Sequence, residues 1–356
     1  MTKRIGILTF QDADNFGAVL QAYALCEVLK QIRNDIDVEI INYKCKKVLA
    51  NTSLHENISK RGILKGLYKY PQMIAIHKRF DSFRDTYLPR SNVFCSVEEL
   101  KNEIMSYDAV ISGSDQVWNL ALTGNDTVYF QDFFSATGKK YSYAASMGGY
   151  WIADHQYDWF INVLKDFETI SLREETTSKK LNELGITSRV DLDPTLLLGK
   201  EKWSHFASNK YLGKDYILLY MVPFQKSVVA KAEEIHRDTG MPVLLVSKSL
   251  KPITAKHAGN ISPTEFVGAF RDARYVVTNS FHGTAFSIIF QKDCSICLQT
   301  PTGFNTRAAD LLKKCGIDFF EDFIDVRLSG ERGRTITERL SAPVENSISY
   351  LWSIIR

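Results

Sequence analysis

The sequence predicts an α/β fold with two Rossmann-like domains that face each other across a cleft. Short apolar runs alternate with segments of helical periodicity, which is typical of parallel sheets covered by helices. The alternation stops at a polar segment ending near residue 214 and then begins again, and 356 residues suffice for two domains. We expect these domains at residues 1–198 and 199–340, with a C-terminal helix in residues 341–356 that could pack back on the first domain.

The first domain contains five predicted strands. They are the apolar runs at residues 5–10, 38–42, 108–112, 141–145 and 169–172. A helix follows the first strand, because Leu20, Ala24 and Val28 recur at helical spacing. Ser96 and Glu99 predict another helix start as a capping box, in which Ser96 accepts from the Glu99 amide while Glu99 reaches back.

The second domain repeats the alternation. Its predicted strands are residues 216–222, 243–247, 275–279 and 294–298, and its predicted helices are residues 226–239, 283–290 and 305–315. Ser262, Pro263 and Glu265 give the clearest helix start, with an N-cap, a proline in the first turn and a glutamate at the third position. The last helix is predicted at residues 344–355.

Composition and cysteine usage narrow the class of protein. Hydrophobic residues at 45% and charged residues at 24% exclude a disordered or fibrous chain, and a net charge of +3 predicts no nucleic-acid partner. Cys294 and Cys297 form a C-x-x-C inside an apolar run without a second ligand pair, so we expect core thiols and no metal. No apolar run is long enough for a signal peptide or a membrane helix, so we expect a cytoplasmic protein.

Two polar loops of the first domain follow predicted strands, where parallel sheets bind ligands. The loop at residues 14–17 could take an anion on the amides of the next helix, or its Asp or Asn could simply cap that helix. The loop at residues 113–119 places polar groups around one tryptophan and suits a sugar, or it is a solvated turn whose tryptophan plugs the core.

Two further loops carry an arginine and a histidine. Arg173 could hold a carboxylate or phosphate with its guanidinium fork, or pair with Glu174 or Glu175 at the surface. His282 lies beside Gly283 where a strand leads into a helix, and an imidazole there could exchange protons near neutral pH or serve as a cap or core residue. The sequence lacks the common dinucleotide, P-loop, serine-hydrolase and zinc-protease motifs.

Six segments, in register along most of the chain, resemble the polysaccharide pyruvyl transferase family. They are DNFGAVLQ at residues 14–21, GSDQVWN at 113–119, YAAS at 143–146, SLREE at 171–175, DPTLLL at 193–198 and TNSFHGTAFS at 278–287. The resemblance implies a fold similar to the glycosyltransferase type B arrangement. It also implies transfer of a pyruvyl group from phosphoenolpyruvate to a sugar of a bacterial surface polysaccharide, leaving a ketal and free phosphate.

The resemblance implies a role for each candidate residue. His282 is the expected catalytic acid–base group and Arg173 the expected donor clamp. Some members carry an arginine where this chain has Ser280, so we expect Arg307 to supply the second anion fork. The other expected donor-binding residues are Asn279, Ser280, Gly283 and Thr284. The expected acceptor-binding residues are Asp14, Asn15, Phe16, Gly17, Ser114, Asp115, Gln116, Trp118 and Asn119.

The implied partner is a glycan or a lipid-linked sugar, with phosphoenolpyruvate as co-substrate and no cofactor. A lipid-linked acceptor would bring the protein to the inner membrane face. The basic residues at 44–47, Lys60, Arg61, Lys65 and Lys69 could contact that face, or they simply form a solvated surface. Two other functions stay open, a glycosyltransferase that uses a nucleotide sugar and a non-catalytic glycan-binding protein. The glycosyltransferase would need a carboxylate for the ribose hydroxyls, and Glu265 is the only obvious one near the second-domain cleft.

Overall fold

A computed structural model describes residues 2–52, 63–134, 139–246, 256–257, 260–300 and 303–356. Its internal contacts divide the chain into two units. The first unit comprises Met1–Leu197 and Pro343–Arg356, and the second comprises Leu198–Ala342. Each unit contains a largely parallel β-sheet with helices, which confirms the predicted α/β class.

The first unit is built on a five-stranded parallel sheet. Its strands are β1 (Lys3–Leu8), β2 (Ile36–Tyr43), β3 (Arg90–Phe94), β4 (Ala109–Ser112) and β5 (Lys140–Ser142). They lie in the order β3-β2-β1-β4-β5. A short parallel pair, β6 (Ser171–Leu172) and β7 (Arg189–Val190), adjoins β5 through isolated bridges. The strands β3 and β7 were not predicted, because neither is an apolar run.

Eight α-helices accompany this sheet among the described residues. They are α1 (Phe16–Ile32), α2 (Lys46–Thr52), α3 (Ile63–Tyr87), α4 (Val97–Ile104), α5 (Leu120–Thr123), α6 (Tyr157–Lys165), α7 (Glu175–Glu183) and α8 (Pro194–Leu197). The predicted capping box of α4 is half formed. Ser96 Oγ accepts from the Glu99 amide at 3.2 Å, but the Glu99 carboxylate accepts from the Cys95 amide at 2.7 Å instead of from Ser96.

The second unit has a six-stranded sheet with one antiparallel edge. Its strands are β8 (Ile217–Tyr220), β9 (Val243–Val246), β10 (Lys256–His257), β11 (Tyr275–Thr278), β12 (Cys294–Cys297) and β15 (Phe323–Val326). Their order is β10-β9-β8-β11-β12-β15, and only β15 runs antiparallel to its neighbour. A separate two-stranded antiparallel sheet consists of β13 (Gln299–Thr300) and β14 (Gly303–Phe304).

Six described helices belong wholly or partly to the second unit. They are α9 (Gly199–Phe206), α10 (Lys226–Thr239), α11 (Pro263–Asp272), α12 (Phe281–Ile289), α13 (Thr306–Lys314) and α14 (Glu331–Ile355). The capping box of Ser262 and Glu265 is complete, as predicted. The last helix begins at Glu331, well before the predicted residue 344, and continues through Pro343 although proline removes one helical hydrogen bond.

Both main sheets have the doubly wound strand order. The first strand of each unit is central, and the chain adds neighbours on one side and then on the other. The order therefore reverses between β1 and β4 in the first unit and between β8 and β11 in the second. Because ligands of open α/β sheets bind in the crevice at such a switch point, the fold directs attention to the loops after these four strands.

The cysteines are free thiols, and all except Cys95 are buried. Burial raises the pKa of the Cys26 thiol and of the Cys315 thiol to about 12 each. We expect a thiol reagent at pH 8 to modify Cys95 alone in the folded protein and the other five only after unfolding. Counting modified thiols over time checks this, and Cys95→Ser should abolish the rapid phase. Rapid modification of two or more thiols would contradict the buried positions.

Candidate functional site

The loop after β1 is organised around a helix cap. Asn15 Oδ1 accepts from the amides of Gly17 at 2.9 Å and Ala18 at 3.3 Å. Phe16 is buried, and its ring centroid lies 5.0 Å from that of Phe80. This geometry does not support the predicted acceptor-binding roles of Asn15, Phe16 and Gly17, because the amides of Gly17 and Ala18 already donate to the Asn15 side chain. The structure shows the capping alternative.

Asp14 is part of a buried ionic cluster rather than an open ligand site. Its Oδ1 accepts from Arg84 Nη1 at 3.0 Å, and its Oδ2 lies 2.8 Å from His77 Nδ1. Arg84 is 1% exposed and also donates to the carbonyl oxygens of Gln11 and Asp12 at 3.2 and 3.1 Å. The acceptor-binding role predicted for Asp14 is thus replaced by a structural one, because its carboxylate holds α3 against the loop.

Ser114 joins three loops at the switch point of the first unit. Its amide donates to Gln21 Oε1 at 3.2 Å, and its carbonyl accepts from Thr9 Oγ1 at 3.0 Å. Its hydroxyl donates to the Ala144 carbonyl at 3.0 Å. Hydrogen bonds of Ser114 therefore connect the loops after β1, β4 and β5 at the carboxyl edge of the sheet. The sequence predicts ligand binding by the polar loops at this edge.

The residues beside Ser114 adopt unusual backbone conformations. Gly113 has φ of +126°, and a Cβ there would lie 2.2 Å from the Tyr143 carbonyl oxygen. Asp115 has φ of +76°, a left-handed conformation that costs a residue with a side chain about 1 kcal/mol. Such conformations concentrate at functional sites, so they support a site in this loop.

Trp118 does not face a ligand. Its indole is completely buried, stacks on Phe130 at 5.3 Å and donates from Nε1 to the Tyr129 carbonyl at 2.9 Å. The prediction that it supplies a stacking face for a sugar is wrong, and the alternative of a core plug is correct. Asn119, also predicted to bind the acceptor, caps α5 and donates to Gln116 Oε1 at 3.2 Å.

Arg173 lies in a buried cluster with two carboxylates. Its Nη2 is 2.8 Å from Asp193 Oδ2 and 2.5 Å from Ser114 Oγ, and its Nη1 is 3.9 Å from Asp115 Oδ1. Arg173 is 4% exposed and Asp193 is 1% exposed. The alternative of a surface pair is therefore wrong. The structure brings three predicted residues together here and adds Asp193, which the sequence analysis had treated only as part of a motif.

Glu174 is a functional candidate that sequence reasoning missed. Its side chain is completely buried, and its Oε1 accepts from Ser146 Oγ and from the Gly148 amide. Its Oε2 has no hydrogen-bond partner among the described residues. A buried acceptor without a donor is unfavourable unless a ligand supplies one. The sequence signal for Glu174 is its place in the SLREE segment, next to Arg173, but the predicted surface pair with Arg173 does not indicate a buried carboxylate.

His282 lies in the first turn of α12, at the switch point of the second unit. The helix begins at Phe281 with Ser280 as N-cap, two residues earlier than predicted. His282 is 7% exposed. A Cβ on Gly283 would lie 2.1 Å from Thr278 Oγ1, so only glycine lets the helix start so close to the end of β11. His282 therefore lies at the carboxyl edge of the sheet.

Two predicted donor-binding side chains have structural partners instead. Asn279 Oδ1 accepts from the Val222 amide at 2.8 Å, and its Nδ2 donates to the Pro223 carbonyl at 3.0 Å. Thr284 is completely buried and its hydroxyl donates to the Ser280 carbonyl at 3.1 Å. Asn279 thus joins the loops after β8 and β11, and the side chain of Thr284 is not available to a ligand.

Arg307 lies beside the His282 loop. Its guanidinium carbon is 5.6 Å from the Phe281 ring centroid, and that ring is 5.1 Å from the His282 ring. Asn305 Nδ2 donates to the Asn279 carbonyl at 3.0 Å and ties the start of α13 to the same loop. The structure therefore brings together a histidine, a half-exposed arginine and the first turn of α12.

The family model of the polysaccharide pyruvyl transferases matches residues 15–296, well over half of the chain. The chain belongs to the polysaccharide pyruvyl transferase family. The resemblance seen in its sequence segments is thereby confirmed, and the match includes the loops after β4, β8 and β11 of this family member. A comparison with curated proteins finds no match.

A solved structure supports the fold of this pyruvyl transferase family member. A putative UDP-N-acetylglucosamine 2-epimerase from Listeria monocytogenes is 9% identical with a TM-score of 0.50, over 100% of this chain and 91% of the other. UDP-GlcNAc 2-epimerase from Methanocaldococcus jannaschii (14% identity, TM-score 0.45, 96% and 100% coverage) and Escherichia coli heptosyltransferase WaaC (10%, 0.37, 88% and 98%) are also similar. The Listeria enzyme supports the predicted similarity to the glycosyltransferase type B fold, and at 9% identity it supports nothing more.

The membrane-related prediction concerns a basic stretch that is only partly described. Lys60 and Arg61 lie outside the described residues. Lys44 forms an ion pair with Asp12 at 2.7 Å, so its charge is partly neutralised within the protein. Among the helices that the structure describes, none is both long enough and apolar enough to cross a membrane.

Proposed function

We propose that this protein transfers a pyruvyl group from phosphoenolpyruvate to two hydroxyl groups of one sugar in a bacterial exopolysaccharide or capsule. The product is a cyclic ketal, and phosphate is released. The observation that carries the proposal is the position of His282 in the first turn of α12, at the switch point of the second unit, in a chain that belongs to the pyruvyl transferase family.

The proposed reaction needs one group that first gives and then takes a proton. Protonation of the phosphoenolpyruvate methylene makes the neighbouring carbon electrophilic, and a sugar hydroxyl adds to that carbon. The carbon–oxygen bond to phosphate then breaks with its electron pair, and the second hydroxyl adds. The two sugar hydroxyls lose two protons in all. The number of protons is conserved, because one is gained by the methylene as it becomes a methyl group and one is gained by the released phosphate. We assign the proton transfers to His282, since imidazole can act in both directions.

The donor carries a carboxylate and a phosphate, so its site must offer positive charge. The first turn of α12 contributes the partial positive charge of a helix N-terminus, and Arg307 contributes a guanidinium beside it. Ser280 is neutral, which makes Arg307 the proposed second anion fork. Arg173 remains a proposed donor clamp, although Asp193 and Asp115 already neutralise its charge locally.

Donor binding tests the proposal directly. Phosphoenolpyruvate at about 100 times its Kd should stabilise the protein by about 2.7 kcal/mol, which a thermal-shift assay detects. We expect Arg307→Gln to reduce this shift and Arg237→Gln, an exposed arginine on α10, to leave it unchanged. A shift with a nucleotide diphosphate sugar and none with phosphoenolpyruvate would contradict the proposal and favour a sugar transferase.

We assign Glu174 to the acceptor, because its buried Oε2 is suited to accept a hydrogen bond from a sugar hydroxyl. Glu174→Gln keeps an oxygen for Ser146 and Gly148 but places a donor where Oε2 was. Loss of a hydrogen bond to a charged group costs about 1.5–3 kcal/mol, so the acceptor KM should rise roughly 10- to 150-fold. The phosphoenolpyruvate-induced thermal shift should not change.

The matched control is Glu183→Gln, which removes an exposed carboxylate from the other end of α7. This variant should have the acceptor KM of the unchanged protein. An unaltered acceptor KM in Glu174→Gln would show that Glu174 does not bind the acceptor.

A further inference from the structure

A cavity of about 520 Å³ in the second unit lies apart from the candidate site. It is formed where α13 ends, where β15 leads out of the sheet and where α14 begins. The residues that line it include Gly316, Arg327, Ser329, Glu331, Arg332 and Arg339. We call this cavity the arginine pocket.

The arginine pocket lies at the opposite edge of the sheet from His282. Strands β11 and β12 are parallel, and His282 follows the carboxyl end of β11. Asp293 directly precedes β12, and its Oδ1 accepts from the amides of Leu328 and Ser329 at 2.8 Å each. The chain entering α14 is therefore fixed at the amino end of these strands, so a ligand in this pocket would not occupy the reaction site.

The charge of the pocket is strongly one-sided. Three arginines against one glutamate give +3 − 1 = +2. None of these three arginines forms an ion pair within the part of the chain that the structure describes. Arginine forks match the oxygen geometry of phosphate groups, and the start of α14 adds the partial positive charge of a helix N-terminus. The pocket is therefore complementary to a multiply charged phosphate ester.

Two features fix the walls of the pocket. Gly316 has φ of +68°, and a Cβ there would lie 1.3 Å from Arg339 Nη1, so the glycine lets this guanidinium cross the end of α13. Ser329 donates from its amide and its hydroxyl to the Asp293 carboxylate, which anchors the rim before α14. The conformation of Gly316 and the hydrogen bonds to Asp293 order these two parts of the wall before a ligand binds, which lowers the cost of ordering them on binding.

We propose that the arginine pocket binds a diphosphate group that is esterified to a larger molecule. Two phosphoryl groups would use three guanidinium forks and balance the local charge, and 520 Å³ leaves room for part of the attached group. The same chemistry occurs in a nucleoside diphosphate and in a polyprenyl diphosphate lipid. The proposal does not depend on pyruvyl transfer.

Calorimetric titration of the full chain with inorganic diphosphate tests the pocket. We expect Arg327→Gln/Arg332→Gln to weaken binding at least tenfold, and Arg332→Gln alone to weaken it less. Arg334→Gln is the matched control, since Arg334 is exposed on the same helix and does not line the pocket. His282→Gln should also bind diphosphate normally, which separates this site from the proposed reaction site.

The source of the diphosphate is distinguished by two further probes. If uridine diphosphate binds the unchanged protein but not the double variant, the pocket binds a nucleoside diphosphate. If the unchanged protein co-sediments with phosphatidylcholine vesicles that carry a polyprenyl diphosphate and the double variant does not, the pocket binds a lipid diphosphate. The proposal is overturned if the unchanged protein binds none of the three probes, or if Arg334→Gln or His282→Gln weakens binding as much as the double variant.

Discussion

Replacing His282 with glutamine is expected to lower the rate of ketal formation by about 10²–10⁴, the usual contribution of a positioned acid–base group. Glutamine keeps a polar side chain of similar length in the first turn of α12 but cannot exchange a proton. The phosphoenolpyruvate-induced thermal shift should survive, since the helix start and Arg307 are unaltered. The measurement is the release of phosphate from phosphoenolpyruvate in the presence of an acceptor glycan.

His205→Gln is the matched control, because His205 is an exposed histidine of the same unit whose Nδ1 lies 2.9 Å from the Glu201 carbonyl oxygen. Its rate should equal that of the unchanged protein. If His282→Gln retains full turnover, another group transfers the proton. If the unchanged protein binds a glycan with no turnover and His282→Gln binds it equally well, the protein is a glycan-binding protein.

Replacing Arg173 with methionine is expected to destabilise the first unit by about 3–5 kcal/mol, because Asp193 would then be a buried charge without its cation. For a unit of this size that corresponds to a fall in Tm of roughly 6–20 °C. Calorimetric unfolding gives the value. Lys30→Gln, which breaks the exposed pair with Glu27, should change the free energy of unfolding by less than about 1 kcal/mol.

A second variant separates structure from donor binding at Arg173. Arg173→Lys keeps a positive charge near Asp193 and should lose less stability than Arg173→Met, but it lacks the guanidinium fork. If Arg173 also holds the donor, the KM for phosphoenolpyruvate rises markedly in Arg173→Lys. An unchanged KM would leave Arg173 as a structural residue, and an unchanged stability of Arg173→Met would contradict the buried ion pair.

The sequence predicts the fully buried central strands well, because a strand buried on both faces appears as an uninterrupted apolar run. β8 and β12 lie within their predicted ranges, and α10 is found as predicted, from residue 226 to 239. The predicted start of α12 at residue 283 is two residues late, because Gly283 resembles a helix boundary although here it allows close packing inside the helix. Half-exposed β3 gave no such signal.

The site was less predictable, because its geometry depends on pairs that are distant in the sequence. Asp14 meets Arg84, seventy residues away, and nothing in the local pattern of α3 marks that arginine. The burial of Trp118 depends on Phe130 and Tyr129, which the chain contributes later. Local motifs therefore identified the loops, whereas the direction of each side chain depended on tertiary packing.

The division of the chain has a consequence for synthesis on the ribosome. The first unit includes residues 343–356, so its contacts are complete only after the whole second unit has been translated. In that last segment Tyr350 Oη donates to the Ser142 carbonyl at 2.9 Å, and Ser347 Oγ donates to Asp191 at 3.0 Å. The first unit therefore cannot complete these contacts while the second unit is still being synthesised, although residues 1–197 leave the ribosome before it.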